Sequence, residues 1–204
     1  MKGYYINLEH RADRKTHFEK NIKSNEFFKN IKHFSAIKWK PGYVGCSKSH
    51  IEILTRLLNE EGDYFMVCED DLCIKHKEIY NDFVINFNKI KDSDNWDLIT
   101  LTPYSGYKNI KQNSFMSKNG FVKLRSAQTT TCYIVKKRFI KTLLENYKYS
   151  VKKLISGSRY QDYALDQYWK KLYPLHNIYR FHKKFMIQMP GYSDIEGVHL
   201  NIGI

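Results

Sequence analysis

Three consecutive carboxylates, Glu69, Asp70 and Asp71, follow directly on the apolar and aromatic run at residues 64–68. Like charges set side by side at the end of a buried run repel one another, and proteins put them where a cation or ligand offsets that cost. Hard oxygen donors favour Mg²⁺ or Mn²⁺, ions that usually join protein carboxylates to substrate phosphates. If the strand continued through the triplet, Glu69 and Asp71 would project to one side and Asp70 to the other. The plain alternative is a solvated acidic turn after a core strand, and a triplet alone does not separate the two.

Other residues with chemical potential are scattered along the chain. Arg11 and Arg14 sit in or beside the polar turn that follows Tyr4-Tyr-Ile-Asn-Leu8. They are either surface charges or contacts for a nucleotide base or phosphate at a sheet edge. Gly45, Cys46, Ser49 and His50 fall in the first turns of a helix, where a histidine is ordinarily a packed or capping residue. Asp162 and Asp166 lie near the start of a late helix, at one face by their spacing. Acidic residues there also complement the helix dipole without any catalysis. Asp194 and His199, in a polar, glycine-rich tail, are candidates for a further metal ligand. The four cysteines (Cys46, Cys68, Cys73 and Cys132) form no C-x-x-C pair. That argues against a disulfide framework and a structural zinc site, and Cys68 and Cys132 read as core thiols.

The elements that must position these residues alternate. Strands are expected at 4–8, 30–37, 64–68 and 96–102, and helices at 14–23, 43–59 and through Ile79, Phe83, Phe87 and Ile90. This βαβαβαβ order predicts an α/β fold with a parallel sheet, and such sheets bind ligands at the carboxyl ends of their strands. A long loop is expected over 104–120. Strands follow at 121–125 and 129–135, then a helix at 138–147 and a flexible 155–159 stretch. A helix at 165–172, closing strands at 176–181 and 185–188, and a tail at 190–199 too polar for a core element complete the reading.

At 204 residues the chain reads as one domain, and 42% hydrophobic content with 15% aromatics suffices for a sizeable core. The net charge of +13 comes from lysines dispersed along the whole sequence, without a recognition motif for nucleic acid. A positive field suits a nucleotide-sugar, an acidic glycan or a phospholipid surface equally well. No apolar run approaches the ~20 residues of a membrane span, and the N-terminus lacks the apolar region of a signal peptide. The expectation is a soluble, cytoplasmic protein whose membrane or acidic-surface contact, if any, is peripheral.

Several stretches, in this order, resemble glycosyltransferase family 25, the lipooligosaccharide and procollagen galactosyltransferases. Tyr5-Ile-Asn-Leu-Glu-His-Arg-Ala-Asp-Arg14 is similar to the family's opening strand and turn. Gly45-Cys-Ser-Lys-Ser-His50 is similar to its "GC-x-x-SH" helix start, and Val67-Cys-Glu-Asp-Asp71 to its "EDD" metal motif. Weaker matches are Thr131-Cys-Tyr-Ile-Val135, Asp166 and the segment 188–195. The tail stops soon after His199, and 104–120 has no matching family pattern.

The resemblance implies a GT-A fold, with a mixed, mostly parallel sheet, helices on both faces, a nucleotide-sugar half at about 1–103 and an acceptor half at about 104–204. It implies inverting transfer of a hexose, galactose or glucose, from a UDP-sugar to a hydroxyl of a glycan or glycoprotein, assisted by Mn²⁺ or Mg²⁺. On that basis Asn7, Arg11, Arg14, Gly45, Ser49, His50, Glu69 and Asp70 would bind the nucleotide. Asp71 and Glu69, with His199 or Asp194, would hold the ion. Single-displacement chemistry needs a separate carboxylate base, for which Asp166 is the first candidate and Asp162 the second. The rivals are a nucleotidyltransferase, disfavoured because the turn after the first strand has no glycine, and a non-catalytic glycan- or nucleic-acid-binding module.

Overall fold

The computed structural model describes residues 1–109 and 114–200. Its first part runs β1 (Gly3–Asn7), α1 (Ala12–His17) continued by a π-helical turn (Phe18–Ile22), β2 (Ile31–Ser35), α2 (Gly42–Asn59), β3 (Tyr64–Glu69), β4 (Leu72–Ile74), α3 (Lys77–Ile90), β5 (Leu98–Thr100) and β6 (Tyr104–Asn109). The second runs α4 (Ser114–Lys118), β7 (Phe121–Gln128), β8 (Cys132–Lys136), α5 (Lys137–Ile155) and the single turns α6 (Tyr160–Tyr163) and α7 (Leu165–Tyr168). A 3-10 turn (Trp169–Leu172) then leads to β9 (Ile178–Phe181), β10 (Met186–Gln188), β11 (Gly191–Ser193) and β12 (Val198–Leu200).

Eight strands form one mixed sheet in the order β2-β1-β3-β8-β5-β9-β7-β6. Tracing the pairings outward from β1, six of the eight strands point one way and β7 and β8 oppose them, so the sheet is mostly parallel. The unalternating apolar runs mark strands covered on both faces, and β1 is buried at all five positions. On one face Leu54, Leu57, Phe139 and Leu143 bring α2 and α5 onto the sheet. On the other, Phe18, Ile22, Phe83 and Phe87 do the same for the π-turn and α3. In each helix these residues recur three or four apart, as an amphipathic face requires. Among the described residues no helix is long and apolar enough to cross a membrane.

Four local expectations need correction. The acidic run is not a continuing strand: β3 ends at Glu69, and Asp70 and Asp71 form a turn into β4. The alternation of side chains therefore stops at Glu69, and Asp70 and Asp71 both reach the same guanidinium, that of Arg14. The span 104–120 is not a plain loop but contains β6 and α4, and its residues 110–113 lie outside the described residues. The polar tail makes the hairpin β11–β12, with Tyr192 opposite His199. Finally, Asp162 and Asp166 do not share a helix: Ala164, at ψ 151°, is extended and separates α6 from α7.

Candidate active site

The strand ends dictate where the site lies. β1 and β3 are parallel and adjacent, so Asn7 and Glu69 finish at the same edge of the sheet. Here the 69–71 triplet, the turn after β1 and the hairpin β11–β12 enclose a cavity of about 630 Å³. Asp71 is 3% exposed and Asp70 6%, so both acids are held inside the protein.

Each acid is fixed by partners from distant parts of the chain. Asn7 Nδ2 donates to Asp70 Oδ2 at 2.7 Å and to the Arg11 carbonyl at 3.0 Å. Arg14 Nη1 donates to Asp70 Oδ1 and to Asp71 Oδ2, both at 3.1 Å, and its Nη2 to the Tyr192 carbonyl at 2.8 Å. Pairing of β4 with β10 sets Gln188 against Leu72, and Gln188 Nε2 reaches Asp71 Oδ2 at 3.1 Å. Arg11 turns the other way, toward Asp13 and Asp194, and its Nη1 also donates to the Tyr192 carbonyl at 3.2 Å. The two arginines thus fasten the hairpin over the acidic edge.

The helix-start motif has a structural explanation. A Cβ on Gly45 would meet the Ile37 carbonyl oxygen at 2.5 Å, so only glycine lets α2 approach the segment after β2. Ser49 Oγ accepts from the Ile37 amide at 2.9 Å and donates to the Gly45 carbonyl at 2.8 Å, pinning the same segment. That segment presents Ile37, Lys38, Trp39 and Lys40 to the cavity, with Lys48 Nζ 3.7 Å from the Trp39 ring. Gly45 and Ser49 therefore shape the wall without lining it. His50, fully buried, reaches Glu69 Oε1 through Nε2 at 3.3 Å and the Tyr133 hydroxyl through Nδ1 at 3.1 Å.

A second cavity of about 250 Å³ adjoins the first, and Cys46, Glu69, Gln188 and Ser193 line both. Asp166 lines the second cavity beside Thr130, Thr131 and Tyr160. Its Oδ2 accepts from the Thr129 amide at 3.2 Å. Thr129 holds φ at 75°, a left-handed value that costs a β-branched residue on the order of 1–3 kcal/mol. Asp162 lines neither cavity; it is exposed and pairs with Arg159 at 3.4 Å.

The carboxylates fall into two electrostatic groups. Burial, and then the neighbouring charges of Glu69 and Asp70, push Asp71 up to about 7 against the pull of Arg14 and Gln188. Burial raises Asp70 and Asp166 as well. At Glu69 burial acts upward too, but the hydrogen bond and charge of His50 and the Thr130 hydroxyl hold it below its ordinary value. At Asp194, partial burial is outweighed by His10 and Arg11, and its pKa is lowered.

This pattern bears on a metal ion. Asp71 Oδ1 is buried with no hydrogen-bond partner among the described residues, and Asp70 and Glu69 add further hard oxygens beside it. That donor set fits Mg²⁺ or Mn²⁺. Asp194 is engaged by His10 at 3.0 Å and by Arg11 at 2.6 Å. His199 is exposed on β12 with its ring against Tyr192. The fold therefore gathers Glu69, Asp70, Asp71, Asn7 and Arg14 at one place and sets His199 apart. Trp39, Thr129 and Thr130 went unmarked in the sequence, and Thr131 and Gln188 entered only through the weaker family matches. The one sequence signal for the threonines is a polar run abutting the buried strand β8, the mirror image of the acidic run after β3.

Residues 40–168 match the family model of glycosyltransferase family 25, described as an LPS biosynthesis protein. No curated protein matches the chain by sequence. Among solved structures, a glycosyltransferase involved in the glycosylation of the major capsid of PBCV-1 is similar in fold, with a TM-score of 0.54 at 10% identity, covering 95% of this chain and 94% of that one. A UDP-glucose pyrophosphorylase from Acinetobacter baumanii gives a TM-score of 0.47 at 10% identity, over 91% of this chain and 72% of that one. A mannose-1-phosphate geranyltransferase from Thermus thermophilus gives 0.44 at 7% identity over 94% of this chain, which spans 60% of that protein's length.

Proposed function

Because the chain belongs to glycosyltransferase family 25, we propose that it moves a hexose, galactose or glucose, from a UDP-sugar to a hydroxyl of a glycan or glycoprotein, with inversion at the anomeric carbon. The observation that carries this reading is the buried acidic edge opening on the larger cavity, with Asp71 pushed to about 7 and one of its oxygens unsatisfied. Mn²⁺ or Mg²⁺, held by Asp71 with Asp70 or Glu69 assisting, would supply charge neutralisation for the departing diphosphate.

The chain's own residues account for the rest. The larger cavity takes the donor, the nucleotide lying against the Ile37–Lys40 wall with the half-exposed Trp39 ring available to stack on the base. Arg14 faces the diphosphate. The smaller cavity takes the acceptor, and Asp166 accepts the proton of the attacking hydroxyl. Asp166 suits that task because it is partly buried, desolvation raises its pKa, and the Thr129 amide fixes the orientation of its carboxyl group. Asp162, exposed and paired with Arg159, is the weaker candidate for the base. The donor half spans about 1–103 and the acceptor half about 104–204, with the hairpin from the second half closing over the first. A panel of UDP-sugars, assayed for hydrolysis with and without Mn²⁺, tests the proposal without knowledge of the acceptor. Mn²⁺-dependent release of UDP from one of them is expected, and no turnover of any would overturn it.

A further inference from the structure

Beside the acidic edge, the wall shared by the two cavities adds sulfur and nitrogen donors to the carboxylate of Glu69. Cys46 and His50 are four residues apart on α2, so they lie on one face of the helix, and Glu69 meets them from the end of β3. The Cys46 sulfur, a His50 ring nitrogen and a Glu69 carboxylate oxygen all lie within 4.8 Å of one another. We propose that these three residues form a second metal site, one that takes Zn²⁺ rather than the hard ion assigned to Asp71.

Tetrahedral zinc, bound at about 2.0–2.3 Å, sets its ligand atoms roughly 3.3–3.7 Å apart. His50 Nε2 and Glu69 Oε1 already stand at 3.3 Å, so only the sulfur has to draw in, by about an ångström. An outer shell is also in place. Tyr133 OH lies 3.1 Å from His50 Nδ1, and Thr130 Oγ1 donates to Glu69 at 3.0 Å. Such partners fix the tautomer and direction of a ligating ring. Cys46 and Glu69 line both cavities, which gives an ion a route in and leaves its fourth position open to solvent or substrate. Thiolate and imidazole select zinc, whereas the all-oxygen edge at Asp70 and Asp71 selects magnesium or manganese.

The protons balance simply. The Cys46 thiol proton leaves to solvent as the sulfur binds. As the metal binds, the Nε2 proton that His50 shares with Glu69 is displaced and the ring keeps a proton on Nδ1, facing the Tyr133 hydroxyl, so that Nε2 offers its lone pair to the metal. Glu69 is shared with the acidic edge, where Asp70 can assist Asp71 in its place, and Zn²⁺ binding is read out without the reaction assigned above.

The test is a titration of the reduced, metal-free full chain with Co²⁺, followed by Zn²⁺ in competition with a chromophoric chelator. A thiolate-to-cobalt charge-transfer band should appear at one ion per chain and be bleached by Zn²⁺. Cys46→Ser should abolish the band and weaken Zn²⁺ binding about 100-fold, at the upper end of what disturbing a metal site costs. Cys73→Ser and Asp71→Asn should keep both. Glu69→Gln, which leaves the thiol untouched, should keep the band and weaken Zn²⁺ about tenfold. A band that survives Cys46→Ser, a band lost with Asp71→Asn, or Zn²⁺ affinity unchanged in both Cys46→Ser and Glu69→Gln would overturn the assignment.

Discussion

Asp71 and Asp194 line the same cavity, and their surroundings have driven them in opposite directions. Asp71 sits at a strand end, buried beside two other carboxylates, and is pushed up to about 7. Asp194 sits in the hairpin, where Arg11 and His10 satisfy it and lower its pKa. One carboxylate thus lacks a full counter-charge and the other has it within the protein. The difference is between a carboxylate with an oxygen left unsatisfied and one whose charge ties the hairpin to the turn after β1. Asp166, partly buried in the neighbouring cavity with its pKa raised by desolvation, belongs with Asp71 in this respect.

The largest effect should come from Asp166. Asp166→Asn keeps the size and the contact with the Thr129 amide but removes the basicity. Transfer should fall by about 10²–10⁴-fold, with UDP and Mn²⁺ affinity within about twofold of wild type. Transfer at near wild-type rate in this variant, with Asp162→Asn inactive, would move the base to Asp162. The sign of the shift at Asp166 gives a companion expectation. A base must be ionised to act, and burial raises its pKa, so the acid limb of kcat/KM should lie above the ordinary aspartate value of about 3.9. With Mn²⁺ saturating, so that Asp71 stays ionised, Asp166→Asn should lose this limb. A wild-type profile flat down to about pH 4 would contradict the assignment.

Arg11, in the turn after β1, binds Asp194 and the Tyr192 carbonyl of the hairpin without lining the cavity. Arg11→Ala should loosen the hairpin and raise the donor KM several-fold with little change in kcat, as expected for uniform binding. Asp194→Asn should produce a weaker version of the same effect. An unchanged KM in both would show that the hairpin takes no part in donor binding.

The smallest effect concerns stability. Asp71→Asn removes a buried charge that repels its neighbours and keeps a polar group for Gln188. The Tm of the metal-free protein should rise by about 2–4 °C for each kcal/mol of relieved repulsion. Asp194→Asn, which breaks satisfied ion pairs, should not raise it. Thermal melts of both variants without added metal make the comparison, and a lowered Tm for Asp71→Asn would mean that Arg14 already satisfies the cluster.

Much of this was legible in the residues. The unalternating run before Glu69 marked a strand covered on both faces, and helical spacing through Leu54, Leu57 and Leu58 marked α2 nearly to its ends. Strand direction was not legible. β8 carries the same kind of apolar run as β3 yet lies antiparallel to it, because a run shows burial and not polarity. The hairpin at 191–200 was missed because its strands bury little. Its anchors are backbone carbonyl contacts to Arg11 and Arg14, from the opposite end of the chain. The break at Ala164 was invisible for the opposite reason, since neither glycine nor proline marks it. Spacing alone put Asp162 and Asp166 on one face, and one extended residue parted them.

The most direct test of the central claim is calorimetry of UDP binding, with and without Mn²⁺, to the wild-type chain, Asp71→Ala and Asp194→Ala. The acidic edge as the metal-dependent donor site predicts that Mn²⁺ strengthens UDP binding to wild type and to Asp194→Ala. Asp71→Ala should lose that enhancement, about 100-fold or more, and bind UDP equally weakly with and without the ion. Full Mn²⁺-dependent affinity in Asp71→Ala would contradict the account.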